Sequence, residues 1–244
     1  MRVIVSLLLL FVLVCPTHAD YLYKTTLLRA APGKLLQLID VLEMRMEVYE
    51  RAGVPKPFWM RHSQGDQWDL LVLLPIESYQ KYYSLQSTEK LEQAAMKSGL
   101  SEEAFHDKLN ELVARDEDVF VWGPSLEEAS SIFAGAGFFH VEMFISLPGK
   151  QTELIKQRKM ENIYLKNIER PQNLIFVRDQ GAVWDVFTIG CYRDIRHFAE
   201  SADVPEEKEE KAAKIAGFEA ANRIGTYLRT LMSEHHDTLA VAIK

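Results

Sequence analysis

Cysteine is almost absent from this chain of 244 residues, which has Cys15 and Cys191 and no other. Cys15 falls inside an N-terminal apolar run, so a chain that loses that run keeps Cys191 alone and cannot close an internal disulfide. Stability must then come from packing, and Cys191, following an apolar strand, reads as a small buried hydrophobe rather than a nucleophile. Long hydrophobic runs are also missing: Val3 to Val14 is shorter than the roughly 20 residues of a membrane span. Positive charge is scarce, with a formal net charge of −7 and no concentrated basic surface, which argues against a nucleic-acid partner. The charged run Pro205 to Lys211 reads as a solvated helix start. There is no P-loop, no Gly-x-Gly-x-x-Gly after a strand, no His-Glu-x-x-His and no Gly-x-Ser-x-Gly, so no cofactor is named by motif. Gly135-Ala136-Gly137 leads into a strand rather than out of one and reads as a flexible entry to it.

What is present has the balance of a soluble globular protein, 48% hydrophobic and 26% charged, with length enough for one large domain or two ordinary ones. Residues Met1 to Ala19 have the anatomy of a secretory signal: Arg2, the apolar run, and the small-residue end Thr17-His18-Ala19. Cleavage before Asp20 would deliver a soluble protein to the periplasm or cell exterior. Lipid attachment at Cys15 is the alternative, disfavoured because Val14 stands where a small residue is wanted.

The strongest signal is an internal repeat. Shifted by 116 residues, Pro32-Gly33-Lys34 falls on Pro148-Gly149-Lys150, and Leu38-Ile39 on Leu154-Ile155. Met44 falls on Met160, Pro55 on Pro171, and Gln64-Gly65, Trp68-Asp69 on Gln180-Gly181, Trp184-Asp185. Each copy opens on a strand, Tyr21 to Leu28 or Phe138 to Ile145, followed by a Pro-Gly turn and a helix. In the first copy Leu35, Leu38, Ile39, Leu42, Met46 and Tyr49 form one helical stripe. A hairpin follows, Phe58 to His62 with Trp68 to Leu74, or Leu174 to Arg178 with Val183 to Ile189. After further helix come closing strands at Val119 to Trp122 and Thr238 to Ile243. This is the βαββαβ order of a ferredoxin-like unit, whose bare sheet face a second copy can cover. The boundaries expected are a signal at 1–19, repeat one at 20–123, a linker at 124–136 and repeat two at 137–244.

The element order, the Pro-Gly after the first strand and the Gly-x-x-Trp-Asp hairpin resemble the dimeric α+β barrel superfamily, which includes antibiotic-biosynthesis monooxygenase-like and NIPSNAP-like proteins. The resemblance spans nearly the whole mature chain and implies an α+β fold in which the antiparallel sheets of two tandem ferredoxin-like repeats pack into one barrel. Because the repeat is fused, no oligomer is required. The superfamily holds cofactor-free oxygenases, isomerases and haem-handling proteins, so it leaves both reaction and cofactor open.

Comparing the copies marks repeat two as the polar one. Leu42 and Met46 become Arg158 and Asn162, and a buried guanidinium needs partners unless it snorkels to water. On the first strand of repeat two, Phe139, Val141, Met143 and Ile145 form an apolar face expected to meet the helices. His140 and Glu142 would then face the space between the sheets, opposite Lys24 and Thr26, as a base with its orienting partner or half of a metal site. His235-His236-Asp237, expected at a helix–strand junction, is a weaker metal candidate or a helix cap. Trp68 and Trp184 recur in both copies and read as fold elements, with Trp184 also a flat surface for a ligand. The reading is an exported protein that binds a small, partly apolar organic molecule, with His140, Glu142 and Arg158 as catalytic candidates and Asn162 and Trp184 as ligand contacts. The alternatives are a cofactor-free monooxygenase or isomerase and a structural protein of the cell envelope.

Overall fold

The computed structural model describes residues 21–243. The signal-type segment 1–19, its Cys15 and the cleavage point before Asp20 lie outside the described residues. In chain order come β1 (Tyr21–Ala30), α1 (Leu35–Ala52), β2 (Phe58–Gln64), β3 (Leu70–Glu77), α2 (Tyr79–Tyr82), α3 (Leu85–Lys97), α4 (Glu102–Leu112) and β4 (Val113–Gly123). The connecting segment carries α5 (Leu126–Phe133). Then follow β5 (Phe138–Ser146), α6 (Gln151–Asn167), β6 (Leu174–Gly181), β7 (Val186–Tyr192), α7 (Ile195–Ala199), α8 (Glu206–Ala216), α9 (Ile224–Arg229) and β8 (Met232–Val241). No helix among the described residues is long and apolar enough to cross a membrane.

The repeat is visible in backbone geometry. Gly33 and Gly149 both turn into their helix at φ 76°, a left-handed conformation that glycine adopts without steric cost. Gly53 ends α1 in the left-handed region, its N–H reaching the Glu50 carbonyl while that of Val54 reaches Tyr49, which satisfies two carbonyls the helix leaves open. Asp69 and Asp185 explain the recurring Trp-Asp pair. Asp69 Oδ2 accepts the Ala30 N–H at 2.8 Å, and Asp185 Oδ2 accepts that of Ser146 at 2.9 Å, pinning each hairpin to the end of its repeat's first strand. Trp68 and Trp184 are both buried in the barrel core.

The eight strands close into a single antiparallel barrel in the order β1-β3-β2-β8-β5-β7-β6-β4, with β4 returning to β1. Each repeat contributes four neighbouring strands, and two seams, β2 to β8 and β4 to β6, join them. No strand of the barrel is left with an open edge. Inside, Tyr23, Met60, Leu71, Val121, Phe176 and Phe187 pack as one core, with the Phe176 and Phe187 rings stacked at 4.5 Å. Cys191 belongs to that core, where burial pushes its thiol up to about 12, so it is inert as expected.

Two expectations are corrected. The face Phe139-Val141-Met143 points into the barrel and not toward the helices, so His140 and Glu142 lie on the outer face under the helical layer. They occupy the places that Lys24 and Thr26 hold in repeat one, rather than facing them. Both faces of a strand in this architecture are covered, and an apolar face alone does not say which cover it meets. The closing strands are also longer than expected, β4 from Val113 and β8 from Met232. Their polar starts, Arg115-Asp116-Glu117-Asp118 and Ser233-Glu234-His235-His236-Asp237, lack an apolar alternation but pair with β1 and β5, with only Ser233 left in a bulge. His235 and His236 are therefore strand residues on opposite faces, not a helix cap.

The seams depend on Gly65 and Gly181, the repeat-matched glycines. A Cβ on Gly65 would lie 2.2 Å from the Asp237 carbonyl oxygen, and one on Gly181 2.5 Å from that of Asp118, both at positive φ. Gly65→Ala and Gly181→Ala are each expected to cost about 3 kcal/mol or more in denaturant unfolding. Gly149→Ala, which meets open space, should cost only the roughly 1–2 kcal/mol of a left-handed alanine.

Candidate functional site

Between the outer face of the first half-sheet and helices α1 to α4 lies a cavity of about 620 Å³. Its walls include Leu42, Met46, Tyr49, Leu74, Tyr82 and Phe105. Polar groups enter from the sheet and from α1. Lys24 Nζ pairs with Asp118 Oδ2 at 2.8 Å, and Thr26 donates to the other carboxylate oxygen at 2.5 Å. Burial pushes the Lys24 ammonium down, but the hydrogen bond and charge of Asp118 outweigh it, so its pKa sits above the ordinary lysine value and the group stays charged. Arg45 pairs with Glu102 and lies over the Tyr49 and Phe105 rings, 5.1 and 4.8 Å from their centroids. Its Nε is buried without a hydrogen-bond partner. The volume suits a drug-sized molecule, and the mix of aromatic walls with a few convergent polar groups is that of a ligand site.

The same compartment of repeat two is occupied by side chains. Arg158, 2% exposed, takes the place of Leu42. Its guanidinium bonds Glu142 Oε2 at 3.3 Å, Gln157 Oε1 at 2.7 Å and Glu161, and lies 4.7 Å from the Phe144 ring centroid. Arg158 is paired in the interior rather than snorkelling to water. Burial raises both carboxyls, but the His235 ring and Arg158 beside Glu142 hold it well below the usual carboxylate range, whereas Glu161 stays above it. Thr188 donates a further bond to Glu142 Oε2 at 3.0 Å. His140 Nε2 meets Asp237 Oδ1 at 2.9 Å, and although burial pushes its pKa down, Asp237 and Glu142 hold it above the ordinary histidine value.

Among solved structures, the chain is similar to an anthrone oxidase-like protein at 13% identity and TM-score 0.56, with 92% of each chain covered. It is also similar to two proteins described as "putative monooxygenase". One is from Fusobacterium nucleatum (9% identity, TM-score 0.54, covering 93% of this chain and 94% of that one), the other from Lactobacillus acidophilus (6%, 0.52, 91% and 93%). These matches run across both repeats and the closed barrel between them. The chain has the dimeric α+β barrel fold. No protein-family model matches it, and no curated protein matches it in sequence.

Within this dimeric α+β barrel the sequence-predicted residues divide three ways. His140, Glu142, Arg158 and His235 come together, joined by Asp237. Asn162 is spent on the backbone: its amide donates to the Asn173 carbonyl and accepts the Asn173 N–H, both at 2.8 Å, tying α6 to the segment before β6. Trp184 and His236 border a separate cavity of about 170 Å³, where the Trp184 indole donates to Glu117 Oε1 at 2.7 Å. The first-repeat groups Arg45, Glu102, Tyr82 and Asp118 were missed, because repeat one, being the less polar copy, reads as scaffold. The signal was the same substitution read in reverse, since Leu42 in place of an arginine leaves room.

From the sequence alone, Arg158→Leu is expected to restore an apolar stripe that leaves the fold intact while abolishing turnover. In the structure it strands Glu142 and Glu161 without their cation, and a loss of about 3–5 kcal/mol is expected in denaturant unfolding. The triple variant Glu142→Thr, Arg158→Leu, Glu161→Gln, which removes the stranded charges together, should recover most of it.

Proposed function

We propose that the protein binds a small, largely apolar molecule carrying an acidic or enolisable oxygen in the cavity of repeat one, and oxidises it with molecular oxygen. The observation that carries this reading is a persistently charged Lys24 set among aromatic walls in a cavity of about 620 Å³. An ammonium so placed stabilises a phenolate or enolate, worth about 3 kcal/mol when one such preorganised group is removed. Asp118, beside it, takes the proton. The anion passes electrons to O₂, and in net terms a ring CH₂ and O₂ become a ketone and water, which balances without a further reductant. The description of one solved relative as anthrone oxidase-like and of two as "putative monooxygenase" agrees with that chemistry.

With anthrone as probe, the mature protein is expected to bind at micromolar concentration and to consume one O₂ per ketone formed. Lys24→Met should slow turnover about 100-fold, and Met46→Trp should occlude the cavity and abolish binding. Binding without O₂ uptake would reduce the activity to that of a carrier, and anthrone binding unchanged in both variants would overturn the site.

Export rests on Arg2, the run Val3 to Val14 and Thr17-His18-Ala19. Expressed with its full sequence, the chain should yield a mature species whose mass begins at Asp20. A species retaining residues 1–19 in the soluble cell fraction would refute export.

A further inference from the structure

The face of β5 and β8 beneath the helices of repeat two holds a staggered cluster of four metal-ligating side chains. Glu142 stands directly opposite Asp237 in the strand register. His140 lies two residues before Glu142, and His235 two residues before Asp237, so all four side chains leave the same face. Directly opposed positions place Cβ atoms about 5 Å apart, which makes Glu142 and Asp237 neighbours, while His140, opposite Leu239, and His235, opposite Phe144, flank that pair diagonally. Ligating atoms of His140, Glu142 and Asp237 lie within 4.8 Å of one another. His235 Nε2 completes the set, 3.4 Å from Glu142 Oε1 and 3.5 Å from Asp237 Oδ1, shielded from solvent and closing no hydrogen bond with either.

The geometry points to a site for one divalent transition-metal ion of the zinc class, held by His140, His235, Glu142 and Asp237. An ion about 2.1 Å from each of four tetrahedral ligands would hold those ligands about 3.4 Å apart, and three of the contacts in the cluster already measure 2.9, 3.4 and 3.5 Å. Two imidazoles with two carboxylates favour zinc, cobalt or nickel over calcium and magnesium, which prefer an all-oxygen shell. The supports behind the ligands are built. Arg158 and Thr188 both bind Glu142 Oε2, leaving Oε1 toward His235. The His235 ring is stacked on Phe144 at 4.7 Å and 6°, which fixes its plane. Such outer partners usually orient metal ligands. The two carboxylates neutralise a divalent ion, and the open side of the cluster is toward solvent, where Asp237 is more than half exposed. In repeat one the places of His140 and Glu142 are taken by Lys24 and Thr26, which would repel or fail to hold a cation, so repeat one has no counterpart of the site.

The test uses the full mature chain without an affinity tag, dialysed against chelator and titrated with Co²⁺ and then Zn²⁺. One equivalent of Co²⁺ should give visible d–d absorption that Zn²⁺ displaces. His140→Ala and Asp237→Asn, both at partly exposed positions, should each weaken binding at least 100-fold while circular dichroism remains that of the parent. His236→Ala, on the opposite face of β8, should leave it unchanged. Absence of saturable binding would overturn the site, as would binding that survives in the double variant His140→Ala, Asp237→Asn. Loss of binding in His236→Ala would instead move the ion to the barrel mouth and equally refute this assignment. The outcome is independent of anthrone binding, which concerns the other repeat.

Discussion

Everything in this molecule follows from closing two half-sheets into one barrel. Each βαββαβ unit ends on two unpaired edges, and an unpaired edge exposes a row of backbone donors and acceptors. The seams between β2 and β8 and between β4 and β6 remove all four edges at once. Closure demands that the backbones approach at Gly65 and Gly181, where no side chain fits. It also demands that β4 and β8 extend through polar sequence, because their job is to satisfy backbone groups along β1 and β5 rather than to bury side chains. The chemistry rides on that requirement. Asp118 reaches Lys24, and Asp237 reaches His140, only because each closing strand lies beside the first strand of its own repeat.

With the interior filled by apolar side chains, sites are left to the compartments between the outer sheet faces and the helices. The two repeats use those compartments differently. A leucine at position 42 leaves space over the sheet, and a guanidinium at the matched position 158 fills it. A buried arginine is costly unless every charge about it is answered, and here Glu142, Glu161 and Gln157 answer it. The second repeat thus trades a cavity for a polar network, and that network holds Glu142 in the proposed metal cluster.

The architecture was legible from the sequence because the repeat is written in residues that act on the backbone. Pro32-Gly33 sets a turn, Trp68 fills a core and Asp69 pins a strand end, and each recurs at a fixed shift. The orientation of β5 was not legible. Its two faces are both covered, so Phe139-Val141-Met143 looked equally suited to helices or to a barrel interior, and nothing local decides between them. The starts of β4 and β8 were hidden for a related reason, since segments held by backbone pairing with β1 and β5 need no alternation of their own. The convergence of His140, Glu142, His235 and Asp237 is a matter of register, which depends on how the chain closes and not on spacing along it.

The asymmetry between the repeats is better explained by division of labour than by drift. Random loss of polarity in one copy would leave unanswered charges behind, yet in repeat one the charges remain matched, Arg45 with Glu102 and Lys24 with Asp118, even though Arg45 Nε itself closes no hydrogen bond. In repeat two each charge of the network also has a partner. A compartment that kept both the cavity and the arginine would expose the guanidinium to the ligand and compete for its anion. On the proposed readings, a persistent ammonium over an open cavity in one copy and a satisfied guanidinium behind a carboxylate in the other would let one fold hold an organic anion and a metal cation without either site disturbing the other.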